Sequence, residues 1–271
     1  MASQGCSHPD PLAIPGGAKE RYAGEGEPVH AFDLLCALAG LVLLLPVFAI
    51  IALAIQLDDG GPVFYSQDRV GKGLHPFRLL KFRSMFAGCD EGSLLTAPGD
   101  ARITRVGGFL RKYKLDELPQ LVNVLRGEMQ LVGVRPQVRR FVDLFPGEYG
   151  ELLQSPPGIT GLASLSFRHE ELLFQESSME ELYVSKILPV KLEIALHYSR
   201  TRTFLSDLEI LLRTVLGLPS PSWAWEGGGS GRASRVEVLQ SISSLHSGAL
   251  GTRERDSSHR NDELDKISGL P

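Results

Sequence analysis

The chain has 271 residues, of which 43% are hydrophobic and 22% charged, and its formal net charge at pH 7 is −4. This composition predicts one sizeable core with appendages rather than several independent domains. A net negative charge excludes a general attraction for nucleic acid, so an anionic ligand must be held by a local cluster of Lys and Arg. The three cysteines, Cys6, Cys36 and Cys89, lack the spacing of a zinc site or disulfide framework, which predicts a reducing compartment.

An apolar block follows a polar start. Residues 1–30 are rich in Gly, Pro, Ser and charge without apolar periodicity, which predicts a flexible leader. The uncharged block at residues 34–57 begins too late and runs too long to be the core of a cleavable signal peptide. Residues 31–58 are therefore predicted to form a membrane helix, which as a straight rod would cross the roughly 30 Å hydrocarbon core.

Pro46 lies near the middle of this block, where its missing N–H and its ring predict a kink. Two arrangements are open: an ordinary spanning helix with a proline kink, or a re-entrant helix that enters and leaves on the same side. Lys and Arg are more numerous after the block, between residues 69 and 83, than before it. This excess places the C-terminal domain in the cytoplasm in either arrangement.

Residues 59–218 are predicted to form a compact α+β domain. Two apolar and aromatic runs between residues 62 and 85 flank a Gly-Lys-Gly turn and predict a β-hairpin. Amphipathic helices are predicted for residues 103–128 and 190–216. The first is basic, which suits a lipid surface, although a helix packed on its own core gives the same pattern.

Two further segments have weaker patterns. Residues 156–167 predict a loop and an extended strand. Residues 219–271 are rich in Ser, Gly and mixed charge, which predicts a disordered tail.

The predicted chemistry centres on two adjacent acids, Asp116 and Glu117. Their mutual repulsion is relieved by a divalent cation or by nearby Arg and Lys, which suits a metal-bound pyrophosphate. An arbitrary pair of acids in a helix more often lies on a solvated face. Here, however, basic motifs surround the pair: QDRVG, KFRSM, RK and VGVRP. Directly after a membrane segment, this combination predicts a basic pocket for a phosphorylated substrate beside lipid headgroups.

Three strings carry a more specific resemblance: QDRVGKGLHPFRLLKFRSM, RITRVGGFLRKYKLDELPQLVNVLRGEMQLVGVRP and PPGITGLASLSFR. In this order, over roughly residues 30–217, the sequence resembles the bacterial sugar transferase family. These phosphoglycosyl transferases have a single membrane segment and initiate polysaccharide and glycoconjugate assembly. The chain is expected to be similar to the minimal form, without the multi-helix N-terminal extension of larger members.

The resemblance implies a re-entrant helix with both flanks cytoplasmic, an interfacial α+β domain at the bacterial cytoplasmic membrane, and a Mg²⁺-dependent two-step reaction. Asp116 resembles the nucleophile, which attacks the sugar-linked phosphorus of a nucleotide diphosphosugar and releases a nucleoside monophosphate. Glu117 resembles its dyad partner, with an orienting or proton-handling role. Polyprenyl phosphate then accepts the phosphosugar. A uridine nucleotide is a family expectation, and the sequence does not distinguish glucose, galactose or an acetamido sugar.

Metal and guanidinium groups stabilise the charge on non-bridging oxygens during phosphoryl transfer. Asp116 is accordingly predicted to bind Mg²⁺ as well as to attack. For Gln120 an exposed position is an equal alternative, since it follows a proline. The predicted substrate-binding residues are Lys81, Arg83, Arg111, Gln120 and Arg135.

Two positions depart from the family pattern. Leu45 stands where members commonly have Ser before the membrane proline, so the kink depends on Pro46 alone. Val134 replaces the first proline of Gly-Pro-Arg-Pro, which keeps Arg135 but makes the loop less rigid.

Two other interpretations are open. A catalytically degenerate, membrane-tethered scaffold for glycan-assembly enzymes would use the polar tail, although the acids and the basic cluster survive together. An enzyme for soluble phosphorylated substrates would leave the interfacial helix without a purpose. The expected partners are the donor, polyprenyl phosphate and membrane lipid, with no nucleic acid; homo-oligomers and glycan-assembly partners are left open.

Overall fold

The computed structural model describes residues 27–86, 88, 96, 99–168, 179–221 and 223. Most of the predicted leader and tail, with Cys6 and Cys89, lies outside these described residues. The helices are α1 (Glu27–Asp59), α2 (Arg105–Lys112), α3 (Gln120–Leu125), α4 (Arg139–Val142), α5 (Pro146–Leu152), α6 (Leu162–Ser166), α7 (Met179–Leu182), α8 (Leu188–Thr201) and α9 (Phe204–Leu216). The strands are β1 (Phe64–Val70), β2 (Pro76–Phe82), β3 (Gln130–Val132) and β4 (Gly158–Thr160).

The predicted membrane segment is the long helix α1, which includes Pro46. Residues 31–59 are long and apolar enough to cross a membrane, and their most apolar window has a mean hydropathy of 2.9. The rest of the described chain mixes helices and strands. A mixed fold with an N-terminal apolar helix is thus confirmed, while the kink and the re-entrant path stay predictions.

Both ends of α1 contact the remainder of the chain. Near its start, the buried carboxylate of Asp33 accepts a hydrogen bond from the backbone N–H of Leu131 in β3, at 3.4 Å. Near its end, Asp58 accepts one from the backbone N–H of Val106 in α2, at 3.0 Å. The domain therefore lies along one side of α1 from its second turn to its last.

The predicted hairpin is confirmed. Strands β1 and β2 pair antiparallel, from Phe64 opposite Phe82 to Val70 opposite Pro76. A short 3₁₀ turn joins them, and Gly73 within it has a φ of 64°, a left-handed conformation that glycine adopts without steric cost. The hairpin places the QDRVG motif near its turn and the start of the KFRSM motif at its open end, where Lys81 lies opposite Tyr65.

The predicted basic amphipathic helix at residues 103–128 is helical, but in three pieces. Lys114 has a φ of 57°, which ends α2, and Pro119 cannot donate a backbone hydrogen bond at the start of α3. Between them, Leu115–Glu117 forms a single 3₁₀ turn. The dyad therefore lies in a tight connection between two helices rather than on the face of one.

The prediction for residues 190–216 is corrected in the same way. Arg202 has an extended ψ of 142°, and the next residue, Thr203, caps α9 in a reciprocal pair with Ser206. A single helix over these residues is therefore wrong, because this cap starts a new one. At residues 156–167 only β4 is extended, and α6 follows it.

Two hydrophobic clusters hold the domain together. The larger joins α4, α5, α6, α8 and α9 through fully buried side chains such as Phe141, Tyr149 and Ile210. The smaller lies between α1, the hairpin and α2, and Leu115 and Leu118 pack against it. Because these two leucines flank the dyad, their packing holds the 3₁₀ turn against the end of α1.

Candidate active site

The two acids of the dyad are buried. Asp116 is 4% exposed and Glu117 is 9% exposed, so the alternative of a solvated helix face is wrong. Burial of two adjacent carboxylates is unfavourable unless cations or hydrogen-bond donors lie beside them. The surroundings of the pair supply cations from two separate elements.

Lys81, near the end of β2, is the first of these cations. Its Nζ lies 3.3 Å from Oε1 of Glu117 and 3.8 Å from Oδ2 of Asp116. Burial lowers the pKa of Lys81, and the two carboxylates act in the opposite direction. One ammonium group therefore bridges both acids.

Arg135, which follows β3, is the second cation. Both of its terminal nitrogens donate to the carboxylate of Glu117, and the Nη1 to Oε2 distance is 3.0 Å. Burial alone would raise the pKa of Glu117, but the charges of Arg135 and Lys81 outweigh burial and hold that pKa well below its usual range. Glu117 is therefore an ionised anchor for two cations.

The loop that carries Arg135 is held by backbone contacts. The N–H of Gly133 donates to the carbonyl of Thr160 at 2.8 Å, and the N–H of Gly158 donates to the carbonyl of Val134 at 2.8 Å. A Cβ on Gly158 would lie 2.1 Å from the backbone nitrogen of Gly133, so only glycine permits this approach. The loop is thereby fixed to β4 although Val134 replaces the family's proline.

The other predicted site residues have different environments. Three nitrogens of Arg83 donate to the carboxylate of Asp59 and the carbonyl of Pro62, so its donors are committed to the end of α1. Arg111 is half-buried in the last turn of α2. Gln120 is 1% exposed, so its alternative as an exposed residue is wrong, and its Nε2 has no hydrogen-bond partner.

Comparison with known proteins places this site in a family. Residues 29–219 match the family model described as bacterial sugar transferase. The chain belongs to the bacterial sugar transferase family. The motifs that form the site, from QDRVG on β1 to the loop that carries Arg135, all lie within the matched range.

Several curated proteins are similar to this sugar transferase. A UDP-glucose:undecaprenyl-phosphate glucose-1-phosphate transferase of Caulobacter vibrioides is 36% identical over 75% of this chain and 74% of its own length. An exopolysaccharide production protein ExoY of Sinorhizobium fredii is 33% identical over 69% of this chain and 83% of its own length. A UDP-N-acetylgalactosamine-undecaprenyl-phosphate N-acetylgalactosaminephosphotransferase of Aeromonas hydrophila is 42% identical over 51% of this chain, but the match covers only 35% of that relative.

The carboxylate of Asp116 in this sugar transferase fits a magnesium ligand. Its Oδ1 atom is buried and has no hydrogen-bond partner in the structure. Within the described part of the chain, no group of three or more His, Cys, Asp or Glu side chains could hold a metal. Mg²⁺ is commonly bound by one or two carboxylates, with substrate phosphates and water as its other ligands. The donor set therefore suits a magnesium ion that arrives with a phosphorylated substrate.

Two residues of the site were missed from the sequence. Asn123 is fully buried in α3 and binds the backbone of β2 beside Lys81, but no pattern in the sequence marks it. Arg69 belongs to the QDRVG motif but is not among the predicted substrate-binding residues. Its position next to the loop of Arg135 depends on how the hairpin packs, which the motif alone does not give.

Proposed function

We propose that this sugar transferase moves a phosphosugar from a nucleotide diphosphosugar, expected to be a UDP-sugar, to polyprenyl phosphate. The product would initiate the synthesis of an exopolysaccharide or glycoconjugate. Two of the relatives are named as transferases for a UDP-sugar and undecaprenyl phosphate, and a third is named for exopolysaccharide production. The observation that carries the proposal is the buried carboxylate of Asp116, whose Oδ1 is unpaired while its Oδ2 lies 3.8 Å from the Lys81 ammonium.

In the proposed first step, a carboxylate oxygen of Asp116 forms a bond to the sugar-linked phosphorus of the donor. The bond from that phosphorus to the oxygen of the nucleoside monophosphate breaks, and the monophosphate leaves with the electron pair. In the second step, an oxygen of polyprenyl phosphate bonds to the same phosphorus and the Asp116–phosphorus bond breaks. One carboxylate thus divides a difficult displacement into two, and it is regenerated at the end.

The residues around Asp116 have different proposed roles in the reaction. Lys81 and Arg135 would contact non-bridging oxygens, whose charge they stabilise in a water-poor site. Mg²⁺, bound by Asp116 and substrate phosphates, would supply further charge neutralisation. Because its pKa is held low, Glu117 stays ionised at neutral pH, which supports an orienting role rather than proton transfer.

The remaining predicted substrate contacts have unequal support. Gln120 is buried four residues after Asp116 and has a free amide donor, which suits a contact to substrate. Arg111 stays a proposed contact at the end of α2. For Arg83, the pairing with Asp59 supports a role in fixing β2 to α1, and this replaces its predicted role in substrate binding.

We also propose that α1 is re-entrant, with a bend at Pro46 and both flanks in the cytoplasm at the inner membrane. Phe32, near its start, packs edge-on against Phe204 at a ring distance of 5.1 Å, and Phe48, in its second half, packs against Phe82 at 4.9 Å. A helix crossing the bilayer would carry the polar domain through the hydrocarbon core, where charged and polar groups are costly. The contacts at both ends therefore support entry and exit on the same side.

Acceptor-dependent release of UMP tests the proposed function. Membranes containing the full chain would be incubated with Mg²⁺, undecaprenyl phosphate and UDP-glucose, UDP-galactose or UDP-N-acetylgalactosamine in parallel. We expect at least one donor to give UMP release that Asp116→Ala abolishes. Arg78→Gln, which removes an exposed cation from the same hairpin, should leave the rate unchanged. A wild-type rate equal to that of Asp116→Ala for every donor would favour the degenerate scaffold.

A further inference from the structure

Arg69 lies on the same face of the hairpin as Lys81. Side chains alternate between the two faces along a strand, so Tyr65, Gln67 and Arg69 of β1 share one face. Tyr65 pairs directly with Lys81 across the hairpin. The face that presents Lys81 to the dyad therefore presents a second cation four residues further along β1.

The guanidinium of Arg69 is fixed by uncharged acceptors. Its Nη2 donates to the side-chain oxygen of Gln67 at 2.6 Å, and its Nη1 donates to the carbonyl of Pro136 at 3.4 Å. Pro136 directly follows Arg135, so Arg69 contacts the loop that carries the cation of Glu117. Gln67 and Arg69 of the QDRVG motif thus act together, because Gln67 orients Arg69 toward this loop.

Among the residues that the structure describes, the guanidinium of Arg69 has no carboxylate in direct contact, and the charge of Glu117 acts on it only from a distance. Within the described ranges, no carboxylate forms an ion pair with it, and its Nε is buried without a hydrogen-bond partner. Burial, followed by the nearby charge of Arg135, lowers the pKa of Arg69 to about 10. A buried cation held next to another cation is unfavourable unless an anion shares the space.

We infer that Arg69 binds a phosphate oxygen of a substrate, as a third cation beside Lys81 and Arg135. This inference rests on the proposed transfer reaction. The free Nε–H makes one edge of the guanidinium available, and charge-assisted bonds from guanidinium to phosphate are among the stronger hydrogen bonds in proteins. The phosphate belongs either to the donor diphosphate or to the acceptor, and both present the same oxygens.

A structural role gives a different expectation. If Arg69 served only as a strut between β1 and the loop at Pro136, its loss would loosen the loop and slow both half-reactions together. A phosphate contact instead affects mainly the half-reaction whose phosphate it holds. The covalent mechanism allows the two halves to be measured separately, by the burst of UMP without acceptor and by acceptor-dependent decay of the adduct.

The experiment compares Arg69→Gln with Arg78→Gln in the purified full chain, with Mg²⁺, the UDP-sugar that the wild type uses and undecaprenyl phosphate. Both variants remove one cation from the hairpin, but Arg78 is exposed and pairs with Asp68 on the opposite face. We expect Arg69→Gln to slow one half-reaction by about 10- to 100-fold, while Arg78→Gln matches the wild type. A slower burst assigns Arg69 to the donor diphosphate, and slower decay assigns it to the acceptor phosphate.

Three results separate the possible failures. Equal rates for Arg69→Gln and Arg78→Gln in both halves would overturn the inference and leave the transfer reaction intact. If the rates of both half-reactions fall together and the melting temperature also falls, the inference is overturned and Arg69 has only a structural role. If Arg69→Gln does not fold, Arg69→Lys keeps the charge with different donor geometry and should show the same one-sided defect, weaker in size. Absence of a burst in the wild type would contradict the proposed function itself.

Discussion

The side-chain oxygen of Asn123 accepts a hydrogen bond from the backbone N–H of Leu80 at 3.0 Å, one residue before Lys81. The Asn123 amide group donates to the carbonyl of Arg78 at 2.8 Å and to Glu128 at 2.6 Å. A fully buried side chain thus ties α3 to the strand that delivers Lys81 to the dyad. Asn123 therefore supports the strand of Lys81 through its backbone rather than through the ammonium group.

Replacing Asn123 tests this link. Asn123→Ala leaves two partly buried backbone groups of β2 without their side-chain partner, so we expect a loss of about 1–3 kcal/mol in unfolding free energy and a lower kcat with little change in donor KM. Asn123→Asp keeps the acceptor for Leu80 but places a negative charge beside Glu128, and it should destabilise at least as much. Thermal melts and steady-state kinetics would measure both. A stable Asn123→Ala with normal kcat would remove Asn123 from the positioning of Lys81.

Glu117→Gln should reduce stability in a pH-dependent way. The charge on Glu117 offsets those of Arg135 and Lys81, so its loss should cost about 2–3 kcal/mol at neutral pH, less than for a fully buried pair because Arg135 is partly exposed. The pKa of Glu117 lies below its ordinary value of 4.5 in the folded chain. Its stabilisation is therefore complete above about pH 4.5 and is lost as the pH falls toward the folded-state pKa.

Melting temperatures of the wild type and Glu117→Gln, measured from pH 7 down to about pH 3, check that the stabilisation by Glu117 is lost in acid. The difference between the two proteins should be largest near neutrality and shrink in acid. A difference that grows as the pH falls would mean that Glu117 is protonated in the folded state, and would restore a proton-handling role.

The pairing of Arg83 with Asp59 predicts a defect in stability rather than in donor binding. Arg83→Met should lower the melting temperature because Asp59 and the carbonyl of Pro62 both lose the buried guanidinium that binds them, while the donor KM of the folded fraction stays near that of the wild type. Asp59→Asn should also lower the melting temperature. Because the two residues bind each other, the double variant should lose less stability than the two single variants added together. A large rise in donor KM for Arg83→Met, with an unchanged melting temperature, would return Arg83 to substrate binding.

Thiol labelling tests the topology of α1. Cys6 precedes the membrane helix and Cys89 follows it, so in a Cys36→Ser background an impermeant reagent should label neither in intact cells. Both should react once the cells are permeabilised, which provides the control for accessibility. Labelling of Cys6 alone in intact cells would show that α1 spans the membrane.

Local patterns were sufficient for the elements with strong periodicity. The apolar run without charge gave α1, and two apolar runs around a Gly-Lys-Gly turn gave the hairpin. Helix breaks were not predictable in the same way. Lys114 adopts a left-handed φ because the turn packs Leu115 and Leu118 into the smaller cluster, and no local preference of lysine indicates that conformation.

The sequence predicted the site residues correctly where a basic motif also lies next to the dyad in the fold. Lys81 and Arg135 contact Glu117 as expected from two basic motifs far apart in sequence. Arg83, two residues after Lys81, lies beyond the end of β2 and pairs with Asp59 at the end of α1 instead. Sequence showed which charges were available, whereas tertiary packing decided which of them reach the dyad.

The most direct test of the account is intact-protein mass spectrometry of the enzyme after incubation with donor and Mg²⁺ but without acceptor. The account predicts an added mass equal to one phosphosugar, located on the peptide containing Asp116 and discharged by polyprenyl phosphate. Asp116→Asn should never carry it. Turnover without any such adduct, or an adduct that persists in Asp116→Asn, would contradict the central claim that this carboxylate is the nucleophile.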